Sequence, residues 1–156
     1  MTDDRGGSLE PALPRPYLSV MTHPIAIQGL DHIVLRIRDK DRMVAFYTEV
    51  LGCSVDWDRP ELGLTHVRAG RELIDLVTLD GPLGRLGGEG PGDEGRNLDH
   101  FCLRVAPFDE AAIRAHLARH GVEVVDSGAR YGAAGEGPSL YIHDPQGNTV
   151  ELKGSG

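Results

Sequence analysis

Cysteine and aromatic side chains are scarce in this chain of 156 residues, with two cysteines, Cys53 and Cys102, and aromatics at 5%. The cysteines form no CxxC pair, so neither a disulfide scaffold nor a thiolate zinc ribbon is indicated, and a reducing cytoplasm is the expected setting. Positive charge is also short: 16 Lys and Arg stand against 24 Asp and Glu, a net charge of −8. That balance argues against nucleic-acid partners and against anionic membrane surfaces. No apolar run approaches the roughly 20 residues of a transmembrane helix.

What remains is an ordinary globular composition, 40% hydrophobic and 26% charged, long enough for one domain with a sizeable core. Residues 1–27 differ from the rest. Pro11, Pro14, Pro16 and Pro24 interrupt them, Asp3 and Asp4 lie near the start, and no periodic pattern develops. A secretory signal needs a basic start and an apolar stretch, and a transit peptide is poor in acids, so this segment is expected to be a loose tail. Met21 is an alternative start.

Residues 28–156 read as a single domain written twice. Leu-Asp-His occurs at residues 30–32 and again at 98–100, with the two histidines 100 − 32 = 68 residues apart. Each copy opens a period-two pattern: Ile33, Leu35 and Ile37 share one face and His32, Val34 and Arg36 the other, while Phe101, Leu103 and Val105 oppose His100, Cys102 and Arg104. An amphipathic helix follows each strand. The first carries Met43, Phe46, Tyr47, Val50 and Leu51, with Asp39 or Asp41 as cap and Gly52 as stop. The second carries Ala112, Ile113 and Leu117 between Asp109 and Gly121. Three strand patterns then complete each half, giving β-α-β-β-β modules over residues 28–80 and 97–154. A Gly-rich acidic loop, residues 80–96, joins them. The stretch 127–138, with four glycines, reads as a lid or an open connection.

The fold class expected is α+β: two paired βαβββ modules forming a curved mixed sheet. With the helices on one face, the other face is concave and carries His32 and His100. The last strands align as Glu72-Leu73-Ile74-Asp75-Leu76 and Asn148-Thr149-Val150-Glu151-Leu152, so Asp75 and Glu151 are internal twins that point into the same concavity. Two imidazoles and a carboxylate form a donor set that suits Zn, Ni, Mn or Fe(II) and leaves positions open for a chelating substrate.

These motifs, together with Phe46-Tyr47-Thr48-Glu49-Val50-Leu51-Gly52 and Asp144-Pro145-Gln146-Gly147, make the chain resemble the vicinal-oxygen-chelate superfamily. That group includes glyoxalase I, extradiol dioxygenases, fosfomycin-resistance enzymes, methylmalonyl-CoA epimerase and bleomycin-binding proteins. The resemblance implies a divalent-metal site on His32, His100 and Glu151. It also implies a small-molecule substrate with adjacent oxygens, and a homodimer. Asp75, at the position of a glyoxalase glutamate, and Tyr141, ten residues before Glu151, are the implied catalytic groups. Arg36, Arg96 and Ser139 are the implied substrate contacts, and Arg130, one of the two large side chains of the stretch 127–138, is a further candidate contact. The implied reaction is isomerase or lyase chemistry through an enediolate. Extradiol dioxygenase chemistry is the first alternative, and a drug-binding resistance protein without catalysis is the second. His23, His66, His116, His120 and His143 have no support from the repeat.

Overall fold

Alternating burial sets up the first strand, β1 (His32–Ile37): Leu35 and Ile37 are fully buried, while His32 and Val34 on the opposite face are exposed. This computed structural model describes residues 24–155 apart from Ala26, so the expected tail lies almost wholly outside the described residues. Among the described residues no helix is long and apolar enough to cross a membrane.

After β1 comes α1 (Lys40–Ala45), and a π-helical turn, Phe46–Val50, continues it. Of the two expected caps, Asp39 is the one used: its side chain accepts from the Arg42 N–H at 3.0 Å. The wider π turn seats Phe46 and Tyr47 together in the core, ring edge to ring face at 5.3 Å. Gly52, at φ +70°, then turns the chain in a conformation that side chains resist. Strands β2 (Ser54–Arg59), β3 (Leu64–Ala69) and β4 (Glu72–Thr78) complete the first module. The second module repeats this order with β5 (Phe101–Arg104), α2 (Glu110–Arg119), β6 (Val124–Gly132), β7 (Gly135–His143) and β8 (Thr149–Lys153).

The two modules form two four-stranded mixed sheets, ordered β1-β4-β3-β2 and β5-β8-β7-β6. In each, the first strand runs parallel to the last and the remaining pairs are antiparallel. Both lie in one unit that begins at Asp31. Leu35, Leu76, Leu140, Ile142 and Val150 are fully buried and join α1 and α2 in a single hydrophobic cluster.

Polar contacts fix the modules to each other. The Asn97 amide accepts from the Arg36 N–H at 3.2 Å and donates to the Arg36 carbonyl at 2.9 Å, as a neighbouring strand would. It also reaches Asn148 Oδ1 at 3.0 Å. Tyr47 donates its hydroxyl to the buried Asp144 at 2.8 Å, across 97 residues of sequence. His116 meets the Val50 carbonyl at 2.8 Å, so this histidine joins the helices.

One expectation fails. The segment 127–138 is neither a lid nor an open connection, because β6 and β7 pair continuously from Ser127↔Leu140 to Gly132↔Gly135. Gly128, Gly132, Gly135 and Gly137 lower strand propensity, but the ladder hydrogen bonds decide the outcome.

Candidate metal centre

The Leu-Asp-His repeat has a physical reason. His32 Nδ1 lies 2.7 Å from Asp31 Oδ1, and His100 Nδ1 lies 2.6 Å from Asp99 Oδ2. A carboxylate on Nδ1 fixes the proton there and leaves the Nε2 lone pair facing outward, which is the form a metal requires. The Asp31 hydrogen bond raises the affinity of His32 for a proton above the ordinary histidine value. Slight desolvation opposes this, and Asp75 reinforces it. The His100 hydrogen bond holds Asp99 below the usual carboxylate range.

Glu151 sits on β8 opposite Cys102 of β5 and Tyr141 of β7, on the face away from the helices. Its Oε2 is 3.5 Å from His100 Nε2. Two donors, each about 2.1 Å from a common ion, lie roughly 3.0–3.4 Å apart, so this spacing needs little adjustment to hold one. Ser139 donates to the other oxygen, Oε1, at 2.5 Å and fixes the carboxylate. Both side chains are buried. The Tyr141 ring meets the edge of His100 at 5.8 Å, and the Arg130 guanidinium stands 5.5 Å over Tyr141 while pairing with Asp126 at 2.8 Å. Desolvation, then the Glu151 carboxylate, raises the Tyr141 phenol above its ordinary value, which keeps it a proton donor. The same two effects push the Cys102 thiol up to about 11, so it is not a thiolate ligand at neutral pH.

The first sheet carries the internal counterpart. Asp75 faces the same side of β4 as His32 faces on β1, and the two feel each other electrostatically. Asp75 is also bonded to a residue that the sequence pattern missed. His66, its register partner on β3, places Nδ1 2.6 Å from Asp75 Oδ1. Trp57 stacks on His66 at 6.0 Å, and Arg59 covers Trp57 at 4.6 Å. His66 thus occupies the place on its sheet that Tyr141 occupies on the other. A linear alignment hides this because 75 − 66 = 9 whereas 151 − 141 = 10, the β7–β8 turn being longer. Pairing strands by face would have found it.

Among the described residues, no three His, Cys, Asp or Glu side chains gather as a ligand set. The candidate donors stand as two pairs, His32 with Asp75 on one sheet and His100 with Glu151 on the other. Of the expected substrate contacts, Ser139 and Arg130 lie around Glu151 and Tyr141. Arg36 is engaged elsewhere: its guanidinium donates to the carbonyls of Gly84, Gly87, Gly88 and Glu89 at 2.6–3.0 Å and anchors the inter-module loop. Arg96 is exposed and lines a cleft of about 720 Å³ formed by that loop.

The family model for the Glyoxalase/Bleomycin resistance protein/Dioxygenase superfamily matches residues 29–152. The chain belongs to this superfamily. A glyoxalase domain-containing protein, RDO1, of Mycosarcoma maydis is 28% identical over 146 residues, covering 88% of this chain and 74% of its own. The virulence protein STM3117 of Salmonella typhimurium is 29% identical over 129 residues, covering 81% and 83%. Its crystal structure superposes with a TM-score of 0.69 at 25% identity, over 85% of this chain and all of that one. Mitochondrial methylmalonyl-CoA epimerase of Bos taurus is 26% identical over 150 residues, covering 89% and 84%. The superfamily's paired modules agree with the two βαβββ sheets, so the duplicated histidines occupy equivalent places in a known architecture.

Proposed function

We propose that the protein is a cytoplasmic, divalent-metal-dependent enzyme of the glyoxalase type, acting on a small substrate with adjacent oxygens. The observation that carries this reading is His100 Nε2, oriented by Asp99, standing 3.5 Å from the Ser139-held carboxylate of Glu151. His32, oriented in the same way by Asp31, is the third ligand. A bound ion supplies Lewis acidity, polarising the substrate oxygens. The chain's own groups do the rest. Tyr141 donates a proton or a hydrogen bond beside the site, and Asp75, steadied by His66, takes up a proton. Two donor pairs on two sheets also support a homodimer in which each site takes His32 from one protomer and His100 with Glu151 from its partner.

Dioxygenase chemistry is the second reading, favoured by the protonated Tyr141 next to both His100 and Glu151. Elemental analysis of the purified protein, followed by turnover of a hemithioacetal and of a catechol, separates the two. Zinc, nickel or manganese with hemithioacetal turnover is expected. Iron with oxygen uptake on the catechol assigns the second reading, and a protein that takes up no divalent metal is not an enzyme of either kind.

The orienting aspartates give a sharper test. Asp99→Asn keeps the shape of the side chain but removes the charge that holds the Nδ1 proton of His100. It is expected to weaken metal binding roughly 10–100-fold, read by competition with a chromophoric chelator. Asp31→Asn is expected to act on His32 in the same way. Unchanged affinity in both variants means that neither histidine is a ligand.

A further inference from the structure

Lys153 is the one cation on the Glu151 face of the second sheet that is both buried and without a carboxylate partner among the described residues. Two residues after Glu151 on β8, it points to the same side of the sheet, and a rise of about 3.3 Å per residue puts the two side chains roughly 7 Å apart along the strand. It is only 7% exposed. Its Nζ donates to the main-chain carbonyl of Arg130 at 2.6 Å, and no carboxylate of the described residues lies within ion-pair distance of it. Arg130, by contrast, is neutralised by Asp126.

A buried ammonium of this kind is costly. One neutral acceptor satisfies one of three donors and none of the charge. The surroundings accommodate it in a particular way. Its stem lies across Gly132, where an added Cβ would come within 2.8 Å of Lys153 Cε. On the same face of β6 the Arg130 guanidinium lies over Gly128, where an added Cβ would come within 2.6 Å of it, so Lys153 and Arg130 both rest on glycines of that strand.

We propose that Lys153 binds the oxyanion of the ligand, a carboxylate or phosphate group carried about 7 Å from the oxygens that reach the Glu151 end of the site. Ser139, the register partner of Lys153 on β7, lies between the two points. This deepens the metal-enzyme reading by giving its substrate a negative charge. It also stands apart from that reading, because the ammonium and its glycine floor do not depend on the metal.

The test measures thermal stability with inorganic phosphate or with malonate, against sodium chloride of equal ionic strength, with and without added zinc. At tenfold over its dissociation constant, one of the two anions is expected to raise the wild-type midpoint by about 3–6 °C beyond the chloride control. Phosphate acting alone assigns a phosphate ligand, and malonate acting alone assigns a carboxylate. Lys153→Met is expected to remove that rise while leaving the ligand-free midpoint unchanged or higher, because it takes away an uncompensated buried charge. Lys153→Arg keeps the charge and is expected to retain at least part of the response. The proposal is overturned if neither anion stabilises the wild type, or if the methionine variant responds like the wild type. It is also overturned if that variant is several degrees less stable without ligand, since the lysine then serves the fold. Loss of zinc binding with retention of the anion response refutes only the metal reading.

Discussion

Glu151→Gln is expected to abolish metal binding while leaving the fold intact. The substitution keeps volume and shape, so Ser139 on β7 and His100 still have a polar group to meet. What disappears is the anionic oxygen nearest His100 Nε2, a loss larger than the roughly 10–100-fold expected for a residue that only orients a ligand. Glu151 is 5% exposed and its Oε1 accepts from the neutral Ser139 hydroxyl, so the isosteric amide keeps that bond while relieving the cost of burying a charge. The metal-free variant should therefore melt at or above the wild-type temperature, and the metal-dependent rise in its midpoint should vanish. Full metal occupancy in this variant refutes the ligand assignment. A mixing experiment adds the question of who shares the site. If each centre joins the first module of one protomer to the second module of its partner, equimolar Glu151→Gln and His32→Ala chains, refolded together, recover about a quarter of the sites. If one chain supplies all the ligands, the mixture recovers none.

The parts of this site that were legible in the sequence share one property: strand alternation and local spacing encode them. Leu35 and Ile37 against His32, and the place of Asp75 and Glu151 on last strands, follow from a period of two and from the repeat, and the sheets bear them out. Illegible parts depend on cross-strand partners. His66 looks like an isolated histidine until β3 is paired with β4, when it falls opposite Asp75. Arg36, four residues after His32, reads as a substrate contact, yet carbonyls 48–53 residues away take up its donors. The β6–β7 ladder was obscured because glycine and proline mark turns in a sequence, whereas here backbone pairing overrides them. Lys153 shows the same limit, because nothing local distinguishes a lysine in solvent from one buried beside a carbonyl.

Asp144→Ala is expected to be the most destabilising single substitution outside the apolar core. The carboxylate is 4% exposed and gathers four donors: the Tyr47 hydroxyl at 2.8 Å, the Asn148 side-chain amide at 2.7 Å, and the main-chain N–H groups of Gln146 and Asn148 at 3.0 and 2.9 Å. It therefore closes the β7–β8 turn and ties that turn to α1's π extension in the other module. Alanine leaves all four donors without their acceptor, each at a cost of about 1–3 kcal/mol where water cannot reach, with partial relief as the turn opens. A net loss of roughly 3–5 kcal/mol follows, which for a chain of this size lowers the midpoint by about 6–20 °C. Tyr47→Phe removes one bond and leaves three, so it should cost only about 1–2 kcal/mol. Burial and the neighbouring Asp144 already hold the Tyr47 hydroxyl far above its ordinary value, so it donates to Asp144 throughout the neutral range. The double variant should be little worse than Asp144→Ala alone, because Asp144 is the partner through which Tyr47 acts. Additive losses in that cycle would show that the Tyr47 hydroxyl stabilises the protein through something other than Asp144. Because β8 carries Glu151 three residues after Asn148, loosening this turn should also lower metal affinity, even though Asp144 is no ligand. Equilibrium unfolding of the three variants, with metal titrations on each, measures both effects.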